Sequence, residues 1–200
     1  MSKKQTTGSD VGPARYEYRV WGENRSARKQ LEKLSRSTVK EQVNDCYLIV
    51  DDTSWNAKVR DNTLKVKQLV ELDDGFQRWS SGRHRAAKTT PTPFDEIFER
   101  LRLDRPQRGK SFDLRRAVER LDPKSGVRAV FVTKKRRRYL VGSLRAEVTT
   151  VLLRDSGEVM HTLSIEGDDL GELISLRKRL GLRDEPNIAV HEAIEAELLR

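Results

Sequence analysis

The stretch KKRRRYLVGSLRAEVT, residues 134–149, sets cationic side chains at every second position of two strands joined by a Gly142-Ser143 turn. Side chains alternate across a sheet. Lys134, Arg136 and Arg138 therefore share one face of the first strand, and Arg145, Glu147 and Thr149 share one face of its partner. The flanks Ala129-Val130-Phe131-Val132 and Tyr139-Leu140-Val141 have the β-branched and aromatic composition of an ordered strand, so the charge is held in place by structure. A two-residue Gly-Ser connection matches a type II′ hairpin, which needs glycine first because that position has positive φ.

The same alternation recurs along the chain. Residues 15–21 set Tyr16, Tyr18 and Val20 against Glu17, Arg19 and Trp21. A second strand is expected over 43–50. Two short strands flank Asp61-Asn62, one opposing Lys58 and Arg60 to Ala57 and Val59, the other opposing Lys65 and Lys67 to Leu64 and Val66. A further strand over 76–87 carries Arg78, and a last one over 159–166 carries Ser164 and Glu166. Collected by face, the polar sides hold nine cations (Arg19, Lys58, Arg60, Lys65, Lys67, Lys134, Arg136, Arg138 and Arg145) against Glu17, Glu147 and Glu166. Curled inward, this face makes a cationic tunnel suited to a polyphosphate chain. Left open, it is a solvated antiparallel sheet, although solvated sheets mix the signs more evenly.

Helices are expected from Ser26 as cap to Leu34, from Phe94 to Leu101, from Ser111 to Leu121, from Asp168 or Asp169 to Leu180, and over 189–199. Residues 1–14, small, polar and ending at Gly12-Pro13, read as a disordered tail, and 15–200 as a single domain. The net charge of +9 favours phosphate-rich partners. One cysteine, Cys46, rules out an internal disulfide and a multi-cysteine zinc site, and its apolar surroundings make it a buried strand thiol. No window reaches the ~18 apolar residues of a spanning helix, so the expectation is a cytoplasmic protein with no membrane partner. Gly109-Lys110-Ser111 ends like a phosphate loop, but its first glycine would fall on Asp104, and the backbone cradle is missing. His84, His161 and His191 have no metal-ligand spacing.

In this order the elements resemble the CYTH superfamily of triphosphate tunnel metalloenzymes, over roughly 16–183. Asp45-Cys46-Tyr47 resembles its D-x-Y strand, Lys58-Val59-Arg60 its R-x-R, and Lys65-Val66-Lys67 its T-L-K element. Lys134-Lys135-Arg136 is similar to its K-x-R strand, and Ser164-Ile165-Glu166 to its closing E-x-E. The resemblance implies an α+β fold: an antiparallel barrel or tunnel with flanking helices. It also implies basic residues that grip phosphates and acidic residues, here Glu17, Glu147 and Glu166, that hold Mg²⁺ or Mn²⁺. Two departures stand out. The opening E-x-E-x-K falls on Glu17-Tyr18-Arg19-Val20-Trp21, so arginine replaces the second acid, and Ser164 replaces an acid in the closing motif.

The reading is a domain that binds a triphosphate-bearing ligand, a nucleotide or inorganic polyphosphate, as a degenerate member with weak or no catalysis. Two alternatives stand beside it. One is a metal-dependent triphosphatase or nucleotide cyclase; the other is a nucleic-acid-binding protein using the basic sheet face.

Overall fold

The computed structural model of the chain describes residues 12–50, 54–61, 63–85, 118 and 126–199. Its strands are β1 (Gly12–Trp21), β2 (Ser37–Ile49), β3 (Trp55–Arg60), β4 (Thr63–Asp73), β5 (Phe76–Arg85), β6 (Arg128–Val141), β7 (Leu144–Leu153) and β8 (Val159–Gly167). The helices are α1 (Arg25–Leu34), α2 (Leu170–Arg179) and α3 (Val190–Leu198). The strands close into one antiparallel barrel in the order β1-β5-β4-β3-β2-β6-β7-β8, with β8 returning to β1. No helix among the described residues is long and apolar enough to cross a membrane.

The barrel is inside-out relative to a filled one. Its outward side chains form most of the core. Tyr18, Val20, Leu163 and Ile165 pack outward against Ala27 and Leu31 of α1 and Leu173 and Leu176 of α2. On the opposite flank Cys46, Leu48, Ala57, Val59, Leu64 and Val66 form a second outward cluster with Val118 and Val127. Because these outward positions are apolar and covered, the alternating inward positions are free to be polar. Tyr139 and Ala146, opposite each other on β6 and β7, show the register that sends Arg138 and Arg145 inward.

Toward one end the inward face itself turns apolar. Tyr47, Ile49, Val130, Val132, Val151 and Leu153 meet Val190 and Ile194 of α3 there, which closes this end of the barrel. The Trp21 indole, placed by alternation on the polar face of β1, belongs to this plug and donates from Nε1 to the Ile188 carbonyl at 2.9 Å. The pairing of β1 with β5 ends at Glu17, and Asn187 takes over beyond it. Its side chain accepts from Arg19 N–H at 2.8 Å and donates to the carbonyls of Glu17 (3.1 Å) and Gly75 (2.8 Å).

Several boundaries differ from the sequence expectation. β1 begins at Gly12, three residues before the expected start. β2 begins at Ser37 instead of 43, because Ser37 to Gln42 pair residue by residue with Leu140 back to Lys135 although they show no apolar alternation. The cap of α1 is Asn24, in the left-handed region at φ 44°, and not Ser26. Asp169 caps α2 by accepting from the Glu172 N–H at 2.9 Å. Arg78 of β5 points outward, to Glu71 at 2.8 Å. At the β6–β7 turn Gly142 has φ 62°, as a type II′ connection requires. The expected helices over 94–101 and 111–121 lie outside the described residues, apart from Val118, which is helical and buried.

Adjacent positions of β8 test this arrangement. Ile165, fully buried on the outer face, should cost about 2–5 kcal/mol when changed to Ala. Ser164→Ala, on the lumen face, should cost less than about 1 kcal/mol. Urea denaturation of the two variants measures both, and equal losses would contradict an outward core.

Candidate functional site

The lumen is a cavity of about 790 Å³ whose lining includes all twelve side chains collected by face from the sequence. β1 contributes Glu17 and Arg19, β3 Lys58 and Arg60, and β4 Lys65 and Lys67. β6 contributes Lys134, Arg136 and Arg138, β7 Arg145 and Glu147, and β8 Glu166. Arg15, which the sequence reading did not include, makes ten basic residues against three acidic ones among the described residues. Burial deepens toward the end closed by α3. The side chains of Arg138 and Arg145 are 52% and 61% exposed, whereas Arg19 and Lys134 are 10% and 6% exposed.

So many cations in a confined space require counter-charge, and five carboxylates supply it. Asp45, whose side chain has no exposure, is the deepest. Arg60 grips it in a fork, Nε to Oδ1 at 2.5 Å and Nη2 to Oδ2 at 2.7 Å, while Lys58 and Lys134 lie at 3.4 and 3.7 Å. Tyr47 joins them: its hydroxyl bonds Lys134 Nζ and meets Lys58 Nζ at 3.4 Å. Glu17 takes Arg19 on Oε1 at 2.9 Å and Lys67 on Oε2 at 2.7 Å. Arg136 bridges Glu41 at 2.6 Å and Glu147 at 3.3 Å, and Glu41 also holds Arg138 at 3.0 Å. Nearer the mouth, Arg145 lies 3.5 Å from Glu166.

These contacts set the protonation states. Burial opposes charge on Glu17, but Lys67 and Arg19 outweigh it and hold its carboxyl well below the usual range. Asp45 is likewise buried, and is held far down by the Arg60 hydrogen bonds and the charges of Lys58 and Lys134. Glu147 is lowered against burial by Arg19 and Arg136 and by the Thr149 hydroxyl. The lysines divide. Burial brings Lys58 down to about 8, with Asp45 only partly restoring it and Arg60 and Lys67 repelling it. Burial also lowers Lys134, and the neighbouring Lys58 adds to this. Lys67 is raised because Glu17 more than offsets burial.

The acids do not suit a divalent ion. Mg²⁺ and Mn²⁺ want several oxygens free to converge at close range. Both oxygens of Glu17 are engaged by cations, Glu147 and Glu166 face arginines, and among the described residues no cluster of three or more candidate ligands could hold a metal. Asp45, Glu41, Tyr47 and Asn187 escaped the sequence reading as site residues. For Asp45 the signal was present: it sits two residues before Tyr47, on the lumen-facing parity of a strand whose other face is apolar. Glu41 could be found only by extending β2 to Ser37, and Asn187 lies in a segment with no periodicity.

No family model matches the chain, and no curated protein matches it. Solved structures do. A protein of Pyrococcus horikoshii OT3 superposes with a TM-score of 0.52 at 17% identity, over 89% of this chain and 98% of that one. A conserved hypothetical protein of Pyrococcus furiosus gives the same TM-score and identity, over 89% and 99%. A candidate adenylate cyclase of Bacillus halodurans gives 0.51 at 10% identity, over 87% and 93%. The likeness is one of fold: the closed antiparallel barrel with flanking helices, as the sequence led us to expect.

Asp45→Asn should be the most damaging single change in the lumen. Removing one side of a buried, multiply paired charge costs roughly 3–5 kcal/mol, and here three cations lose their shared partner. The Asp45 carboxyl is depressed in the folded state, so its contribution is complete above the unfolded pKa of about 4 and is lost as pH falls below that. Denaturation curves of the two proteins should therefore lie far apart at pH 7 and converge in acid. A constant gap across this range would contradict the role given to Asp45.

Proposed function

We propose that the protein binds a triphosphate- or polyphosphate-bearing ligand, a nucleotide or inorganic polyphosphate, in the barrel lumen, without divalent metal and with slow or no turnover. The observation that carries this reading is the convergence of ten basic side chains on one cavity whose carboxylates are already paired to cations. Guanidinium groups bind phosphate through two parallel hydrogen bonds, and ammonium groups act as point charges, so the mixture suits a chain of phosphates. Arg138 and Arg145 are the groups a phosphate meets first; Arg19, Lys67 and Arg136 lie behind them. Lys58, Lys134 and Arg60, gathered on Asp45, form the floor.

Arg19 is central to the absence of metal. Its guanidinium supplies, as a fixed part of the chain, the positive charge that a metal would bring, and its contact with Glu17 withdraws the carboxylate from coordination. The alternative, a metal-dependent triphosphatase or cyclase, draws on Glu17 and Glu166, which stand opposite each other in the β1–β8 register.

Arg136 and Arg137 are neighbours in sequence and opposite in direction: Arg136 faces Glu41 and Glu147 in the lumen, and Arg137 faces Glu32 of α1 outside at 2.8 Å. Arg136→Ala should weaken tripolyphosphate binding by about ten- to a hundredfold, the loss of about 1.5–3 kcal/mol from a charge-assisted contact. Arg137→Ala should leave it unchanged. Fluorescence competition with a labelled nucleoside triphosphate measures both, and equal losses would place binding on the outer surface instead.

Glu17 separates the metal-free reading from the metal-dependent one. As an internal competitor for Arg19 and Lys67, its neutralisation in Glu17→Gln frees two cations and should tighten triphosphate binding by about tenfold in the presence of chelator, or roughly 1.4 kcal/mol. If Glu17 instead holds a catalytic ion, the same change weakens binding in Mg²⁺ or Mn²⁺ and abolishes phosphate release.

A further inference from the structure

The inward half of the basic run of β6 lines the lumen; the outward half lines a different surface. Lys135 and Arg137, with Lys40 of β2 and Arg28 of α1, border an open groove of about 460 Å³ on the outside of the barrel, floored by Val148 and Thr150. Glu41 and Arg136 also border it, but they engage each other, and Glu41 holds Arg138 as well. The acid that serves the groove is Glu32, shared between Arg137 at 2.8 Å and Arg28 at 3.6 Å. Lys40 and Lys135 are exposed and make no ion pair among the described residues. Lys40 stands directly opposite Arg137 in the β2–β6 register. Like charges so placed destabilise a sheet, and a bound polyanion relieves the repulsion.

We infer that this outer groove docks the sugar-phosphate backbone of a single-stranded nucleic acid. Lys135 and Arg137 are two residues apart on one strand face, about 6.6 Å, which presents a row of cations to a row of phosphates. Among the described residues the groove has no aromatic lining, so they offer no base-stacking platform, and binding is independent of base sequence. It also lacks the exposed apolar anchors by which a surface enters a lipid headgroup layer: Val148, its apolar lining residue, is half-buried. This site stands apart from whatever ligand the lumen takes.

The test is fluorescence anisotropy with a labelled oligouridylate carrying a 5′-hydroxyl end, with the lumen saturated by tripolyphosphate. The double variant Lys40→Glu/Lys135→Glu should weaken binding at least about tenfold, and should flatten the logarithmic salt dependence by about 1.4, at roughly 0.7 per phosphate contact on a single strand. Arg145→Ala, a change in the lumen and away from the groove, should leave oligouridylate binding unchanged. If the double variant does not fold, as judged by circular dichroism, Lys40→Gln/Lys135→Gln replaces it, with the same direction expected. Undiminished binding by the folded variant overturns the proposal. So does release of the oligonucleotide by tripolyphosphate, which would put it in the lumen. Binding of phosphatidylserine vesicles or polyglutamate as tight as that of oligouridylate, and equally lost in the variant, would also overturn it.

Discussion

Everything in the lumen depends on the neutralisation of confined positive charge by Asp45. A carboxylate with no exposed surface is tolerable only when it is paired and hydrogen-bonded, and cations crowded beside one another are tolerable only with a carboxylate between them. Arg60 supplies the fork, while Lys58 and Lys134 complete the ring with Tyr47. The consequence reaches the lysines themselves. Lys58, brought to about 8, is held near the edge of protonation, so an arriving anion both binds it and favours its charge.

The fold sets this up by exchanging the usual places of core and surface. α1 and α2 cover the apolar outer face, α3 plugs one end, and the inward positions are relieved of packing. Glu17 and Arg19 are held at the wall by Asn187, which completes the backbone hydrogen bonds where β5 parts from β1. The Glu17 carboxylate is thereby fixed beside a guanidinium two residues away on the same strand face.

Much of this was legible in the chain because strand alternation is a hard rule. Once Lys134, Arg136 and Arg138 share a face, so do Lys58 with Arg60 and Lys65 with Lys67, and all of them line one cavity. What the residues alone left open was closure, since an open solvated sheet has the same alternation. Closure comes from long-range pairing of β1 with both β5 and β8. Polar segments were the least legible. Ser37 to Gln42 is strand only because β6 pairs with it, and Glu41, which holds Arg136 and Arg138, was hidden with it. Trp21 sits on the lumen parity of β1 yet is plug, because its end of the barrel is filled by α3. At 17% identity or less to the solved structures, the likeness lies in these pairings more than in the residues.

The central claim is that the protein's own cations, with no metal, suffice to hold a polyphosphate inside the barrel. Calorimetric titration of the unmodified protein with inorganic tripolyphosphate in the presence of a chelator addresses it most directly. The account predicts saturable binding at one site per chain, little changed when Mg²⁺ or Mn²⁺ replaces the chelator. No binding until the metal is added, followed by steady phosphate release, would contradict it.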